Sequence, residues 1–379
     1  MEIIEAISDT NIGGAGVLLL TRLAEDKKMR EKTLVAIPRN SALLPRLTEL
    51  SVKYAEIDGC ADRSFDVAAI FQFIRLIWRE RPHTVNCHGC LSCRIAALLC
   101  GVPVRIYTRH CTFSPRPWQK NRILRFVAGR LQLLLSNGII AVADAARNDL
   151  SAMGVPISRI RVIINGVSGL YRFDKNKREE IRKSLSVPSD AVVVGIFARL
   201  EEYKGHKDLI DAAGILLGRQ QNYRFLVVGS GSYEDELKKR CKEKGVLECF
   251  IFTGFVSDVS EYMNITDINV NCSHGTETSS LALSEGMSIG LPAVVSDYGG
   301  NPYMVRDGEN GFIYPAFNAE RLAFYIEKIA NDSELRKRLS HNAYARFAEE
   351  LNAKKMTEET YAYYTSLRSV RSFASSENH

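Results

Sequence analysis

The sequence predicts an α/β protein made of two doubly wound parallel-sheet domains, and three observations carry that reading. The chain has 379 residues, more than one domain of about 150 residues accounts for. Short β-branched runs alternate with stretches whose apolar residues recur at helical spacing, which is the pattern of βα units. The alternation is interrupted by a polar, charged stretch from Asp174 to Asp190 and restarts at Ala191-Val-Val-Val-Gly-Ile-Phe-Ala198.

In chain order, the first series predicts strands at 2–7, 33–37, 52–57, 84–87, 104–108, 138–142 and 161–164. Segments 65–79 and 118–135 between them read as crossover helices lying on the sheet faces. The linker is expected near 165–190. The second series predicts strands at 191–198, 225–228, 250–252, 268–271, 293–296 and 311–314, each followed by a helix. Residues 333–368 are helical in pattern, with a break near 350–352, and the end from Ser372 is expected to fray. The domains are then 1–168 and 169–350, with 351–379 a C-terminal helix packing back on the first. Ligands in open α/β sheets bind outside the carboxyl ends of the strands, so chemistry is sought just after strands, facing a cleft between two sheets.

Composition narrows the function classes. With 46% hydrophobic and 25% charged residues, the chain is ordinary globular protein rather than disordered. Nine cysteines, an odd number without a repeating framework, predict free thiols in a reducing cytoplasm. Nothing resembles a signal peptide, and the longest apolar stretches, such as 131–143, fall short of the roughly 20 residues a spanning helix needs. The net charge of +6 is unevenly spread. No Asp or Glu lies between Glu80 and Asp144, a window with nine Arg and Lys, so the rest of the chain is close to −3. An acidic partner is expected at that window. No nucleic-acid motif accompanies the charge, and nucleic acid is not expected.

Four strand-end strings carry chemistry. After the first strand, Gly13-Gly14-Ala-Gly16 precedes a helix, where glycines let backbone amides approach an anion or simply make a tight turn. After the fifth, Thr108-Arg109-His110 places an imidazole at a strand end. In the second domain Arg199 and Lys204-Gly205 join strand to helix, and two cations there can clamp a diphosphate. The strongest string is Ser273-His-Gly-Thr-Glu277-Thr278-Ser279-Ser280-Leu281, running on to Glu285 and Gly290-Leu-Pro292. One carboxylate sits in the loop and one in the helix, with the amides of Thr278–Leu281 at the helix N-terminus between them. That layout suits an anion flanked by two hydroxylated groups.

These strings resemble the retaining nucleotide-sugar glycosyltransferases of the GT-B type, and among them family 4. The resemblance spans essentially the whole chain, through Gly13-Gly14, Val162-Ile-Ile-Asn-Gly-Val167, Arg199 with Lys204-Gly205, the E-x7-E pair Glu277 and Glu285, and Asp307-Gly-Glu-Asn-Gly-Phe-Ile313. It implies that Arg199 and Lys204 bind the diphosphate, that Glu277 holds donor-sugar hydroxyls and that Glu285 holds the ribose. It also implies that His110 contacts the transferred sugar, that Gly13 and Gly14 border the phosphate and acceptor, and that Phe255 and Val256 fall where backbone groups meet the nucleobase. Many relatives have a glycine-rich run after the first glutamate, where this chain has Thr278-Ser-Ser280; that departure bears on which sugar fits.

The expected activity is retaining transfer from a nucleotide-sugar, UDP-linked in the first instance, to a saccharide or lipid-linked acceptor in surface polysaccharide or glycolipid assembly. With no evident nucleophile, a front-face substitution is expected in which the leaving phosphate takes the acceptor proton. No Asp-x-Asp occurs, and no metal or other cofactor is expected. Two rival readings are a nucleotide-sugar-binding module without turnover and a GT-B-type epimerase. Cys87, Cys90 and Cys93 have metal-ligand spacing without a completing partner and read as structural. The basic, amphipathic stretch 113–130 reads either as a crossover helix or as a contact with an anionic membrane surface, which would make the protein peripheral on the inner face.

Overall fold

The computed structural model describes residues 1–112, 117–219 and 222–376. The chain divides into two compact units, one of residues 1–167 with the C-terminal segment from Ala353, the other Ser168–Asn352.

The first unit is a seven-stranded parallel sheet of order β3-β2-β1-β4-β5-β6-β7. Its strands are β1 (Ile3–Ile7), β2 (Thr33–Pro38), β3 (Lys53–Ile57), β4 (Thr84–His88), β5 (Val104–Arg109), β6 (Gly138–Ala141) and β7 (Ile160–Val162). The intervening helices are α1 (Gly14–Glu25), α2 (Lys27–Lys32), α3 (Leu44–Glu49), α4 (Val67–Glu80), α5 (Leu91–Leu99), α6 (Arg122–Leu135) and α7 (Asp144–Ala152). β1, β2 and β4 are buried along their whole length, as strands covered on both faces must be. Side chains alternate between the faces. Ile4 and Ala6 join Phe73 and Leu76 of α4 and Ala96 of α5 in one core, while Ile7 joins Leu19 and Leu23 of α1 and Leu47 of α3 in another.

The second unit repeats the plan with six parallel strands in the order β10-β9-β8-β11-β12-β13. These are β8 (Val192–Phe197), β9 (Tyr223–Val228), β10 (Phe250–Gly254), β11 (Ile268–Asn271), β12 (Ala293–Ser296) and β13 (Gly311–Tyr314). Its helices are α8 (Lys175–Ser184), α9 (His206–Leu216), α10 (Glu234–Glu243), α11 (Ser260–Ile265), α12 (Leu281–Ser288), α13 (Asn301–Met304), α14 (Ala319–Asn331) and α15 (Ser333–Arg346). The charged stretch expected to be linker is largely α8. Ile181 anchors it in a core with Val193 and Leu226, and Arg178 and Arg182 pair with Asp267.

The last helix, α16 (Ala353–Ser376), belongs to the first unit. It follows a π-helical turn at Phe347–Leu351 and runs past the point where fraying was expected; residues 377–379 lie outside the described residues. Tyr363 Oη accepts the Ile139 amide of β6 at 3.3 Å. In each sheet the strand order reverses once, between β1 and β4 and between β8 and β11. Such switch points open a crevice at the strand carboxyl ends.

Segment 118–135 departs from its expected form. A 3-10 turn at Pro117–Lys120 precedes the helix, and the Asn121 side chain caps α6 by accepting the Ile123 and Leu124 amides. Most large apolar residues of α6 do not pack inward: Ile123, Leu124, Phe126, Val127, Leu131 and Leu134 are exposed, Leu133 packs against a core with Tyr107 and Ile139, and Gly129 alone on this helix is fully buried. Glycine is required there, because a Cβ on Gly129 would stand 2.0 Å from the Gly154 carbonyl oxygen and one on Gly154 equally near that of Arg125. Gly129→Ala is therefore expected to lower stability by about 3 kcal/mol, read as a fall in melting temperature; an unchanged melting curve would refute the close approach.

Candidate active site

In the second unit the strand ends converge on one buried carboxylate. β8 leads through Arg199 to a 3-10 turn at Glu202–Lys204 and then Gly205, whose φ is +70°. A Cβ on Gly205 would lie 2.0 Å from the Cys272 carbonyl oxygen, so only glycine lets this turn press on the loop after β11. The His274 amide donates to the Tyr203 carbonyl at 2.8 Å and ties the two loops together. Lys204 Nζ consequently stands 2.8 Å from Glu277 Oε2. The same oxygen accepts Ser273 Oγ at 2.9 Å and Asn271 Nδ2 at 3.4 Å. Behind it, the Gly300 amide donates to the Glu277 carbonyl at 3.2 Å. A Cβ on Gly300 would fall 1.7 Å from the Thr278 carbonyl oxygen, and one on Gly299 2.2 Å from that of Glu277.

The remaining expected residues of this unit are less concentrated. Arg199 is held at 2.6 Å from Tyr203 Oη, and the Lys204 ammonium lies 5.7 Å from the centre of the same ring. Thr278 and Ser279 lead into α12, which begins at Leu281. The Ser280 hydroxyl caps that helix by accepting the Leu283 amide, so this side chain is occupied by the fold. Glu285 lies in the second turn of α12. Burial, aided by the nearby Asp258 charge, pushes its carboxyl up to about 7, and among the described residues its side chain has no hydrogen-bond partner. The Phe255 ring is 77% exposed, whereas Val256 packs against the core beneath β8 and β9.

In the first unit His110 follows β5 and its Nε2 lies 2.6 Å from His88 Nδ1. His88 ends β4, and its Nε2 lies 2.8 Å from Glu5 Oε2 in the middle of β1. Glu5 is buried with Arg22 of α1, Asn86 of β4 and Tyr364 of α16. Gly13 and Gly14 open α1, and a Cβ on either would meet nothing closer than Asp9 at 3.8 Å from Gly13. The fold itself does not demand these two glycines. Glu5, His88, Asn86 and Tyr364 were missed from the sequence, although a carboxylate inside the buried run Ile3-Ile-Glu-Ala-Ile7 was a visible signal. Cys87, Cys90 and Cys93 lie in the core. Burial pushes the Cys90 and Cys93 thiols upward, away from the thiolate a metal requires.

The comparisons with known proteins agree with this geometry. Residues 12–168 match the family described as Glycosyltransferase Family 4, and residues 177–346 that described as Glycosyl transferases group 1. The chain belongs to glycosyltransferase family 4. It is 25% identical over 314 residues to the capsular polysaccharide biosynthesis glycosyltransferase CapM of Staphylococcus aureus, covering 79% of this chain and 80% of that one. It is 31% identical over 201 residues to the lipopolysaccharide core biosynthesis glycosyltransferase LpsE of Rhizobium meliloti, covering 52% of this chain and 56% of that one. Anabaena HepE, solved in complex with UDP and glucose, shares the fold with a TM-score of 0.84 at 22% identity, covering 97% of this chain and 100% of that one. The two sheets are those of a GT-B glycosyltransferase.

For this glycosyltransferase, the raised Glu285 carboxyl has a stability consequence. The folded protein retains a proton that the unfolded chain releases near 4.5. Stability is therefore full below that pH and falls as pH rises through about 7. Glu285→Gln removes the loss. At pH 8 the variant is expected to be more stable than the parent by roughly 2 kcal/mol, and at pH 4 equally stable. Paired melting curves at the two pH values check this; equal stability at both would refute the buried charge.

Proposed function

We propose that this glycosyltransferase moves a sugar, with retention of anomeric configuration and without a metal, from a UDP-linked donor to a saccharide or lipid-linked acceptor in surface polysaccharide or glycolipid assembly. The observation that carries the reading is the Lys204–Glu277 pair, held beside the N-terminus of α12 at the switch point of the second sheet. Glu277 engages one of the three ammonium donors of Lys204 and leaves two for phosphate oxygens. The exposed Arg199 guanidinium adds a second cation, and the first amides of α12 add a helix N-terminus suited to an anion. Together they stabilise the charge that develops on a departing diphosphate. Ser273, Asn271 and Lys204 hold the Glu277 carboxylate in place, so that it can accept donor-sugar hydroxyls. Glu285, with its carboxylate uncommitted, is the candidate for the ribose.

In the front-face step the bond from the anomeric carbon to the phosphate oxygen breaks as the bond to the acceptor oxygen forms on the same side. The leaving phosphate oxygen takes the acceptor proton. The protein's share is positioning and charge stabilisation. The names of CapM and LpsE, and the UDP and glucose in HepE, support the substrate class.

A thermal-shift panel of UDP-, GDP- and ADP-sugars in chelator tests the donor. A shift selective for UDP-sugars is expected, with affinity at least tenfold weaker in Lys204→Ala and Glu285→Ala. Binding without turnover would favour a non-catalytic module, and epimerised donor a GT-B-type epimerase. Proton NMR of the product then decides the stereochemistry, since an inverted anomeric centre would overturn the mechanism.

We also propose that α6 lies on an anionic membrane surface, placing the protein as a peripheral component on the cytoplasmic face. Residues 113–116 of the basic stretch lie outside the described residues. From 117 onward, α6 presents Ile123, Phe126 and Leu134 to solvent with Arg122, Arg125 and Arg130 on the same short helix and Lys120 just before it. Apolar anchoring combined with basic charge is what an interfacial helix uses. Among the described residues no helix is long and apolar enough to cross a membrane. In liposome flotation the protein is expected to float with anionic vesicles and not with zwitterionic ones. Retention of flotation after reversing Lys120, Arg122 and Arg125 to Glu would refute the contact.

A further inference from the structure

The amino-terminal edge of the second sheet, opposite the strand ends that carry Lys204 and Glu277, holds a cationic cavity. A space of about 340 Å³ lies between the chain entering α8, the residues just ahead of β11 and β12, and α15. Its lining carries five cations, Arg172, Lys175, Arg178, Arg336 and Lys337, against one carboxylate, Asp267. A neighbouring cavity of about 560 Å³ shares Lys175, Arg178, Asp267 and Arg336 and adds Arg182 and Lys183, with Glu179 and Asp190 as its further acids. Both volumes are in the range of small-molecule sites.

Asp267 is already committed. Its Oδ1 accepts Arg178 Nη2 at 2.6 Å, while Oδ2 accepts the Val193 amide at 2.9 Å and pairs with Arg182 Nη1 at 3.5 Å. One carboxylate thus serves two guanidinium groups, and among the described residues the Nε of each is buried without a hydrogen-bond partner. Lys175 and Lys337 form the rim. Their side chains are 88% and 75% exposed and face Glu179 at 3.8 Å and Glu334 at 2.8 Å on their own helices, pairings that hold such groups only weakly.

Arg172 and Arg336 differ from both sets. Among the described residues neither guanidinium has a hydrogen-bond or ion-pair partner, and neither does the Ser340 hydroxyl, although all three line the first cavity. Elsewhere on this unit surface arginines meet acids, as Arg219 does Glu327, Arg240 Asp211 and Arg306 Glu350. Arg336 and Ser340 stand four residues apart on α15 and so share one face of it. Gly290 leaves room beside them, since a Cβ there would lie 2.8 Å from Ser340 Oγ and 3.8 Å from Arg172 Nη1.

We propose that this cavity is a second anion site, distinct from the one at Lys204 and Glu277, and that it takes a soluble phosphorylated anion. Arg172, Arg336 and Ser340 are its direct donors, and Lys175 and Lys337 supply the charge that draws the ligand in. A phosphate group concentrates more negative charge than a carboxylate and presents paired oxygens that match the guanidinium fork. A membrane surface fits less well, because none of the lining residues is an exposed large apolar side chain that could anchor in it. β11 runs between the two sites, with Asp267 just before it and Glu277 in the loop after it. The second site therefore stands whether or not the first binds a nucleotide-sugar.

Pyrophosphate, titrated calorimetrically into Lys204→Ala in chelator and without other phosphate or sulfate, tests the assignment. Binding is expected to persist in Lys204→Ala and to weaken roughly tenfold or more when Arg172→Gln and Arg336→Gln are added, with the melting temperature of the free protein unchanged because neither side chain bonds within the fold. Absence of binding in a folded Lys204→Ala, or undiminished binding after the two arginine substitutions, overturns the proposal. Acetylation of lysines in the parent protein gives a readout that needs no variant. Pyrophosphate is expected to slow the modification of Lys175 and Lys337 while leaving Lys239 of α10 unaffected, and equal rates with and without it overturn the site even if a variant fails to fold. Vesicles of phosphatidylcholine with phosphatidic acid decide the source of the phosphate. Their binding is expected to be indifferent to Arg172→Gln and Arg336→Gln, and its loss in that variant would overturn the assignment to a soluble ligand.

Discussion

The organisation of the first unit depends on one buried negative charge. Glu5 sits where its neighbours Ile3 and Ile7 are fully buried, and a lone carboxylate there would cost several kcal/mol. It is tolerated because three elements deliver four partners to it: α1 through Arg22, β4 through Asn86 and His88, and α16 through Tyr364. The bond between Tyr364 and Glu5 joins residues 359 positions apart, so the end of the chain completes a cluster begun in the first strand. Apolar packing would hold α16 against the sheet with some freedom to slide. A saturated hydrogen-bond set does not, since each displaced partner leaves a buried polar atom without one.

The second unit uses steric closeness where the first uses charge. Gly205, Gly299 and Gly300 each bring backbone within reach of a carbonyl that a Cβ would strike. The three contacts converge on the loop from Cys272 to Thr278, and this convergence, rather than the propensity of the loop, places the Glu277 carboxylate beside Lys204. Gly13 and Gly14 are glycines of another kind. A Cβ on Gly14 would meet nothing and one on Gly13 only Asp9 at 3.8 Å, so no close approach within the fold requires their smallness. Glu285 likewise bears a cost unrelated to folding. A largely buried carboxylate with no bonded partner is an unfavourable arrangement in the free protein, which is what the ribose contact proposed for Glu285 would relieve.

How much of this was legible in the sequence follows from the range of each interaction. All thirteen strands were readable, those buried on both faces as contiguous β-branched runs and the edge strands, such as the largely exposed β3, by their place in the βα alternation. Their ends shifted by a few residues at most, as at β7, which begins at Ile160 and stops at Val162. Arg199, Lys204, Glu277 and Glu285 were candidates from the sequence because strand-end loops are where such sheets keep their chemistry. The Lys204–Glu277 bond was not readable, since it spans 73 residues and depends on the glycine contacts behind it. Glu5 was visible as an anomaly within an apolar strand, but its partners were not, because His88 lies 83 positions away and no local pattern links the two.

The exposed apolar face of α6 is the place where periodicity failed most instructively. Helical spacing of apolar residues predicts a buried stripe, and on α4 it does so, with Phe73, Leu76 and Ile77 in the core. On α6 the same spacing is overridden by two glycines. Gly129 approaches the Gly154 carbonyl, and Gly154 approaches that of Arg125, so the helix meets the body of the unit along the side that carries Gly129 and Leu133. Rotating α6 to bury Ile123 and Phe126 would break that approach and the Asn121 cap at its start. The outward stripe is thus a consequence of where the glycines stand. Six large apolar side chains left in water on one short helix amount to more exposed apolar surface than a monomeric protein usually leaves uncovered without a function for it. The acid-free window around them is the feature that favours an anionic surface, the cover proposed for it.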